Sequence, residues 1–526
     1  MQRDVSQLRS TEFDVLIVGG GIYGCWMACH AAAGGLKTAV IDQGDWASAT
    51  SSASSKLLHG GLRYLERFEF QLVRKSLHER RELHRLMPHH VRPLRFLLPV
   101  YRGSRVGRLK LKAGLWMYDF LAGKNQPVAG HRSFSTAELR REELLLKSAN
   151  LLGGFSYGDC GTDDARMTLE VIDTAVDHGA AACNYVRADQ LLMTSGRAAG
   201  VVATDLETQE QFELHARLVI NASGPWVFRH FGLSAMENRV RLTRGVHLVM
   251  PRLSSDNAML LTARSDGRVV FLIPWYNRTL LGTTDTDYHG DPNSVQVELQ
   301  DVEYLLNVAN DAVDVSWTRD DILGSFVGLR TLQNQSGASA SAVSREWSFE
   351  ESVPGLLTSL GGKYTSARVD ALAVIVHAAG LLKYQKPISS VSAMKWTAPD
   401  EFSAWQQTVC REAGKVGIDA ATAELMARRY GKNAACVTAL AADQPGLASR
   451  IVHDLPFCRA EVVYSAMHEM PRTLTDLLRR RIPLKILTPL NRRIAEDVCQ
   501  LAAEVLGWSP ERREQEITSV VPDAVV

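Results

Sequence analysis

Three glycines in the spacing G-x-G-x-x-G, Gly19, Gly21 and Gly24, follow the apolar run DVLIV and precede an alanine-rich stretch. Such a turn lets backbone N–H groups approach a pyrophosphate, and the positive end of a helix starting there favours its charge. Asp42 comes eighteen residues after Gly24, at the end of a second apolar run, LKTAVID, where a carboxylate can accept hydrogen bonds from ribose hydroxyls. The next residue is Gln43 and not an arginine, so no partner for a 2′-phosphate is evident. The pattern implies a bound dinucleotide, and FAD and NAD are both compatible with it.

A phosphate cradle of this kind needs a strand before it and a helix after it. Residues 13–42 read as strand, turn, helix and strand, one βαβ unit. From about residue 65 to 150 the chain turns basic and helical, with apolar residues at spacings of three and four from Glu66 to Leu86. Between about 200 and 345 short alternating runs such as HLVMP and VVFLIP, with turn signals at Ser265-Asp266-Gly267 and Tyr276-Asn277, predict a mixed sheet. The connection KPISSVSAMKWTAPDE then leads into a tail of helical periodicity. The expected organisation is a βαβ core over 1–90 to which 150–230 and 350–384 return, a basic helical and loop insertion over 91–149, a β domain over 231–349 that binds substrate, and a helical domain over 385–526.

With 526 residues the chain is long enough for two or three domains and a buried large cofactor. Apolar residues make up 46% and charged residues 22%, the balance of a globular protein, and a net charge of +1 argues against nucleic acid as a partner. Eight scattered cysteines, with only Cys25 and Cys29 within one helical turn, lack zinc spacing and read as small core residues in a reducing compartment, so no metal is expected. The polar N-terminus runs into a buried strand and does not read as a signal peptide, and no apolar run is long enough to span a bilayer. The expected location is cytoplasmic, or peripheral on the inner face of the cytoplasmic membrane.

The segment ATSSASSKLLHGGLRYL at 49–65, read with GGGIYG at 19–24, resembles the signature of the FAD-dependent glycerol-3-phosphate dehydrogenases. Similar segments follow in the family's order: DDAR at 163–166, NASGPWV at 221–227, RGVH at 244–247, IPW at 273–275, LLGTTDTDY at 280–288, GLR at 328–330, SRE at 344–346 and GGKYTSAR at 361–368. RRYG at 428–431 and EMPRTLTDLLRRR at 469–481 resemble its C-terminal helical domain. The resemblance implies an α/β fold: an FAD-binding Rossmann-like domain, a mixed antiparallel-sheet substrate domain and a C-terminal helical domain. It implies FAD as the cofactor, held by Gly19, Gly21, Gly24 and Asp42, by the hydroxyls of Ser51, Ser52, Ser54 and Ser55, by Gly224, and by Gly362, Lys363 and Thr365.

It also implies hydride transfer from carbon 2 of glycerol 3-phosphate to flavin N5, giving dihydroxyacetone phosphate. A dianionic ester needs fixed cations, and arginine offers a planar, permanently charged fork. Arg330 and Arg345 stand at the family's phosphate-binding positions, with Arg63 and Tyr64 lining the same pocket, His59 and His247 near the reacting carbon, and Lys363 placed to polarise the forming carbonyl. The group that accepts the hydroxyl proton is left open. Departures from the pattern are Thr331 in place of a proline, Ala367 in place of an aromatic residue and Gly161-Thr162 in place of a bulkier pair.

Residues 91–124 carry eight Lys or Arg against the single acid Asp119, interleaved with apolar residues that include Trp116. That stretch, and secondarily the Arg479–Arg481 run, are candidate contacts with anionic lipid, each against the plainer reading of a solvated surface. The resemblance implies a peripheral membrane enzyme that passes electrons to quinone or another acceptor, with a homodimer left open. Alternatives are a related flavin oxidase or dehydrogenase acting on another polyol phosphate or an amine, and a flavoprotein that binds ligand without turnover.

Overall fold

Val15, Leu16 and Ile17 are wholly buried because the strand Phe13–Val18 lies inside a sheet covered on both faces, which is why it reads as a continuous apolar run. The computed structural model describes residues 1–229, 231–253, 255–334, 346–398 and 401–521. Phe13–Val18 pairs in parallel with Gln211–Asn221 on one side and Thr38–Ile41 on the other, and Leu356–Gly361 adds in parallel beyond Gln211–Asn221. The helix Ile22–Ala33 starts at Gly21 and packs against the helices Asp164–Asp177 and Ala367–Leu381. It can approach the strand closely because Gly24 has no side chain: a Cβ there would lie 1.8 Å from the Gly19 carbonyl oxygen.

A second sheet, of ten strands among the described residues, is mostly antiparallel and is built around Val240–Pro251, Arg278–Gly282 and Gly324–Gln333. It corrects the expectation of helix and loop for 91–149. Arg92–Tyr101 is a strand, antiparallel to Leu151–Gly161 and parallel to Ala258–Thr262. Leu94, Phe96, Leu98 and Val100 alternate into the core, but two prolines and the charges of Arg92 and Arg95 mask that period in the sequence. Helices do follow, at Arg108–Ala122 and Thr136–Glu142. The helix expected from Glu66 begins at Phe70, because Leu62–Arg67 forms a 3₁₀ turn closed by Phe68 at φ 61°. Most cysteines are core residues as expected: Cys25, Cys29, Cys160, Cys183, Cys458 and Cys499 are buried as thiols.

The helices after residue 400 are fastened to the first sheet by buried charge. Arg166 donates to both oxygens of Glu469 at 2.6 and 2.8 Å and lies between the rings of Trp396 and Tyr430. Asp45 receives Arg480 at 2.6 Å and Arg481 at 3.0 Å. These two arginines are buried partners of an acid, so the run at 479–481 is neither a solvated helix end nor, at those two positions, a lipid contact. Removing one partner of such a pair strands a charge and costs about 3–5 kcal/mol.

A further buried cluster joins His89 and His90 to Glu170, whose Oε2 lies 2.9 and 3.1 Å from their Nε2 atoms, while Glu170 Oε1 accepts the Trp396 backbone N–H at 3.0 Å. Burial holds His90 neutral, down to about 4, and does the same to His30, whose Nε2–H donates to the Arg368 carbonyl at 3.1 Å. Unfolded, each ring would titrate near 6.5. Below that pH the unfolded chain binds protons the fold refuses, so stability is lost as pH falls from 6.5 towards 4, by up to roughly 3 kcal/mol for each ring. Urea unfolding followed across that range is expected to show the loss, and a His30→Asn/His90→Asn variant a shallower slope; an unchanged slope would remove these rings as its cause.

Candidate active site

A cavity of about 840 Å³ runs between the two sheets. At one end lie Asp42, Val186 and Leu206, at its middle Gly19, Gly21 and Ser51, and at the far end His247, Arg330 and Lys363. Gly19 adopts φ +117°, and a Cβ there would strike the Ala222 carbonyl oxygen at 2.5 Å, so the turn needs glycine on both conformational and steric grounds. A Cβ on Gly21 would meet only Ser51 Oγ, at 3.1 Å, and otherwise occupy the cavity. Asp42 accepts the N–H groups of Gly20 at 2.5 Å and Gly44 at 2.7 Å, which tie the end of Thr38–Ile41 to the turn, while burial pushes its carboxyl up to about 6.

The serine-bearing loop is pinned from beneath. Lys56, buried with φ 58°, donates its ammonium to Asp164 at 2.5 Å and to the Ser52 carbonyl at 2.7 Å. Asp164 also accepts the Ser54 hydroxyl at 2.6 Å and its N–H at 3.0 Å. Above this network Ser51 Oγ accepts the Ile22 N–H at 2.8 Å, meeting the first turn of the helix that follows the glycines. The loop therefore joins the cradle to the second sheet.

At the far end the guanidinium of Arg330 donates to Thr283 Oγ1 at 2.9 Å, the Thr284 carbonyl at 3.2 Å and Asp285 at 3.2 Å. It lies flat on Gly245, where a Cβ would come within 2.1 Å of Nη2. His247, on the same strand, is buried, stacks on Phe326 at 4.8 Å and shares a hydrogen bond with Ser55 Oγ at 2.9 Å. Burial, helped by the charges of Arg330 and Lys56, holds the imidazole neutral, well below its ordinary range. Lys363 donates to Ser76 at 3.0 Å and the Gly60 carbonyl at 3.3 Å, and its ammonium lies 4.8 Å from the ring centre of Tyr64. Arg63 lies 5.3 Å from the same ring. Gly362, at φ +105°, leaves room for Tyr23, whose hydroxyl accepts the Lys363 N–H at 3.0 Å.

Residues 14–368 match the family model described as FAD dependent oxidoreductase, and residues 394–513 the model for the C-terminal domain of alpha-glycerophosphate oxidase. The chain is 35% identical over 520 residues to glycerol-3-phosphate dehydrogenase 2 of Mycobacterium bovis, covering 98% of this chain and 88% of the relative. It is 34% identical to the aerobic glycerol-3-phosphate dehydrogenase of Staphylococcus saprophyticus, over 96% and 93% of the two chains. This chain belongs to the FAD-dependent oxidoreductases, in the glycerol-3-phosphate dehydrogenase family. The crystal structure of the Bacillus halodurans glycerol-3-phosphate dehydrogenase complexed with FAD superimposes with a TM-score of 0.79 at 27% identity, over 99% of this chain and 98% of that one. Glycine oxidase from Geobacillus kaustophilus, at 19% identity and a TM-score of 0.54, shares the fold.

The cavity suits FAD on its own geometry: a cradle that a single Cβ would fill, an acid at the ribose end, and a loop of small hydroxyl residues facing Gly361, Gly362 and Lys363. Of the residues expected from sequence, Gly19, Gly21, Asp42, Ser51, Ser54, Ser55, His59, Arg63, Tyr64, Gly224, His247, Arg330, Gly362, Lys363 and Thr365 line this cavity. Gly24 does not; it serves helix packing. Ser52 faces the other side of its loop, where its carbonyl takes Lys56, and Arg345 lies outside the described residues.

Sequence reasoning missed Thr283 and Asp285, which hold Arg330, and Lys56 with Asp164, which hold the loop. All four fall inside segments that resemble the family, TTD and SSK and DDAR, and their signal was a charged or hydroxyl residue within an otherwise apolar or small-residue context. Of the departures, Thr331 lines the cavity in register with Leu242, and Ala367 is wholly buried at the start of its helix. Because a Gly21 side chain points into open cavity, Gly21→Val is expected to fold and yet lose flavin. The ratio of flavin to protein absorbance after purification measures this, and a normal ratio would refute the cradle.

Proposed function

We propose that the enzyme oxidises sn-glycerol 3-phosphate to dihydroxyacetone phosphate and hands the electrons to a lipid-soluble quinone. The observation that carries the substrate is Arg330, a guanidinium held by Thr283, Thr284 and Asp285 in the cofactor cavity, with Arg63 and Lys363 adding positive charge. A phosphate ester matches that field, and Arg330 is its principal ligand, with Arg345 as the family resemblance implies.

Bound flavin supplies the two-electron acceptor. The chain's residues orient the alcohol and move its proton. His247 is the group placed to accept the hydroxyl proton, since it lines the cavity and is steadied through Ser55 and Phe326. His59 lines the same cavity, its backbone N–H donating to Thr365 Oγ1 at 3.3 Å, and it serves substrate placement. Lys363 braces the Tyr64 ring and adds charge where the carbonyl forms. Proton and hydride leave the same alcohol, so the carbonyl forms with no further reactant.

The acceptor reading rests on the helix Arg108–Ala122. Its outer face exposes Leu109, Trp116 and Phe120, with Phe68 on the adjoining turn, among Arg105, Arg108, Lys110 and Lys112. Lys110, Leu111 and Gly114 of the same helix line the cavity. An apolar face with cations around it suits an anionic bilayer, and it would bring this wall of the cavity to the lipid. Among the described residues no helix is long and apolar enough to cross a membrane.

Anaerobic mixing tests the substrate: glycerol 3-phosphate is expected to bleach the flavin, and glycine and other amines are not. Bleaching by an amine, or by neither, would replace the proposal. Arg330→Ala is expected to raise KM for glycerol 3-phosphate by about a hundredfold, the loss of a charge-assisted pair, with a smaller effect on kcat. An unchanged KM would remove Arg330 from phosphate binding. The double variant Trp116→Ser/Phe120→Ser is expected to bind phosphatidylglycerol vesicles at least about tenfold more weakly; undiminished sedimentation with vesicles would reject this face.

A further inference from the structure

On the far side of the serine-bearing loop lies a second cavity, of about 470 Å³. Ser48, Thr50 and Ser52 form one wall, Phe326 and Ile486 another, and two cations from the C-terminal domain, Arg479 and Lys485, complete it. No carboxylate is among its lining residues. Arg479 and Lys485 are half-buried, and neither has an ion pair within 4.0 Å among the described residues. Arg479 donates to the Ser52 carbonyl at 3.3 Å and rests over the Phe326 ring at 5.3 Å, while Lys485 reaches Thr475 Oγ1 at 3.3 Å and the Ser519 carbonyl at 3.5 Å. All three hydrogen bonds are long for charged donors, which ordinarily close to about 2.7–2.9 Å.

The neighbouring residues make this unusual. Arg480 and Arg481 are each satisfied by Asp45, and Asp163 and Asp164, on the other side of the loop, are engaged by Tyr276, Lys56 and Ser54. Burial pushes Arg479 down to about 10, opposed by the charge of Asp164 and helped by that of Arg480, and burial with the charges of Arg479 and Arg480 lowers Lys485. Two partly desolvated like charges facing one cavity are costly, and an anion between them offsets that cost.

We propose that this cavity is a second ligand site, which takes a small organic oxyanion, a phosphate ester or a carboxylate, on Arg479 and Lys485. The carbon part of such a ligand would lie against Phe326 and Ile486. The site is distinct from the phosphate end of the active cavity, since Arg330 does not line it. It is coupled to the cofactor because Ser48, Thr50 and Ala53 form walls of both cavities. An anion that draws Arg479 away from the Ser52 carbonyl acts on the same carbonyl that Lys56 holds, and so on the loop beside the flavin.

The test uses flavin-loaded enzyme carrying Arg330→Ala, so that the active-site phosphate grip is weakened, titrated calorimetrically with inorganic phosphate and separately with succinate. Saturable uptake of at least one of the two anions is expected, accompanied by a change in the flavin absorption spectrum. Adding Arg479→Gln or, independently, Lys485→Gln to that background is expected to weaken the uptake at least about tenfold. Phosphate alone would mark the ligand as a phosphate ester, and succinate alone as a carboxylate. No saturable uptake of either, or uptake indifferent to both added variants, would overturn the site. Failure of the substrate reading is separate: it appears as phosphate binding that Arg330→Ala leaves unchanged from wild type.

Discussion

The loop between the two sheets depends on one buried ion pair, Lys56 with Asp164. A lysine ammonium so enclosed is destabilised by burial, and Asp164 together with the Ser52 carbonyl offsets that. In return the pair fixes residues 52–56 in a turn that includes a left-handed lysine, and it sets Ser54 and Ser55 at defined heights above the second sheet. Ser55 in turn meets His247, and Ser51 meets the first turn of the helix at Ile22. The cofactor cradle and the substrate end, which belong to different sheets, are held in register through this loop.

The substrate end obeys a related constraint, that a cation must face a cavity without collapsing onto the nearest acid. Arg330 donates to Asp285 at 3.2 Å, to the Thr283 hydroxyl and to the Thr284 carbonyl. Such an arrangement orients the fork. Gly245 matters for the same reason, because the guanidinium lies where any side chain would be. The contrast with Arg166 is instructive: that residue is gripped by both oxygens of Glu469, sandwiched between rings, and fully occupied with holding two domains together.

What the sequence made legible follows the range of the interactions. Gly19, Gly21, Gly24 and Asp42 are read from spacing because strand, turn and helix are local, and the structure supplies strand, turn and helix there. Arg330, His247 and Lys363 come to the same cavity from segments that resemble the family, and no periodicity could have brought them together. Arg92–Tyr101 was hidden, since its strand alternation is overlaid by prolines and charges that local propensity assigns to loop. Asp285 and Lys56 were hidden for another reason: each carries out its task through a partner more than forty residues away, 45 for Asp285 with Arg330 and 108 for Lys56 with Asp164.

The run Arg479, Arg480, Arg481 shows why charge runs resist reading from sequence alone. Three identical neighbours divide between two environments, and those are set by Ser52 and Asp45, 427 to 436 positions upstream. Arg480 and Arg481 turn inward to Asp45, at the base of the cofactor-binding sheet, and so fasten the C-terminal helices to it. The π-helical turn Leu477–Arg481 rotates Arg479 off that face and towards the loop, where the acids within reach are already taken. A π-helical turn changes which residues share a face, and such turns accumulate at functional sites. The consequence here is that one guanidinium of the fastening looks into a cavity bordering the cofactor, so the contact that joins the domains also gives the outer domain a charged surface against the flavin loop.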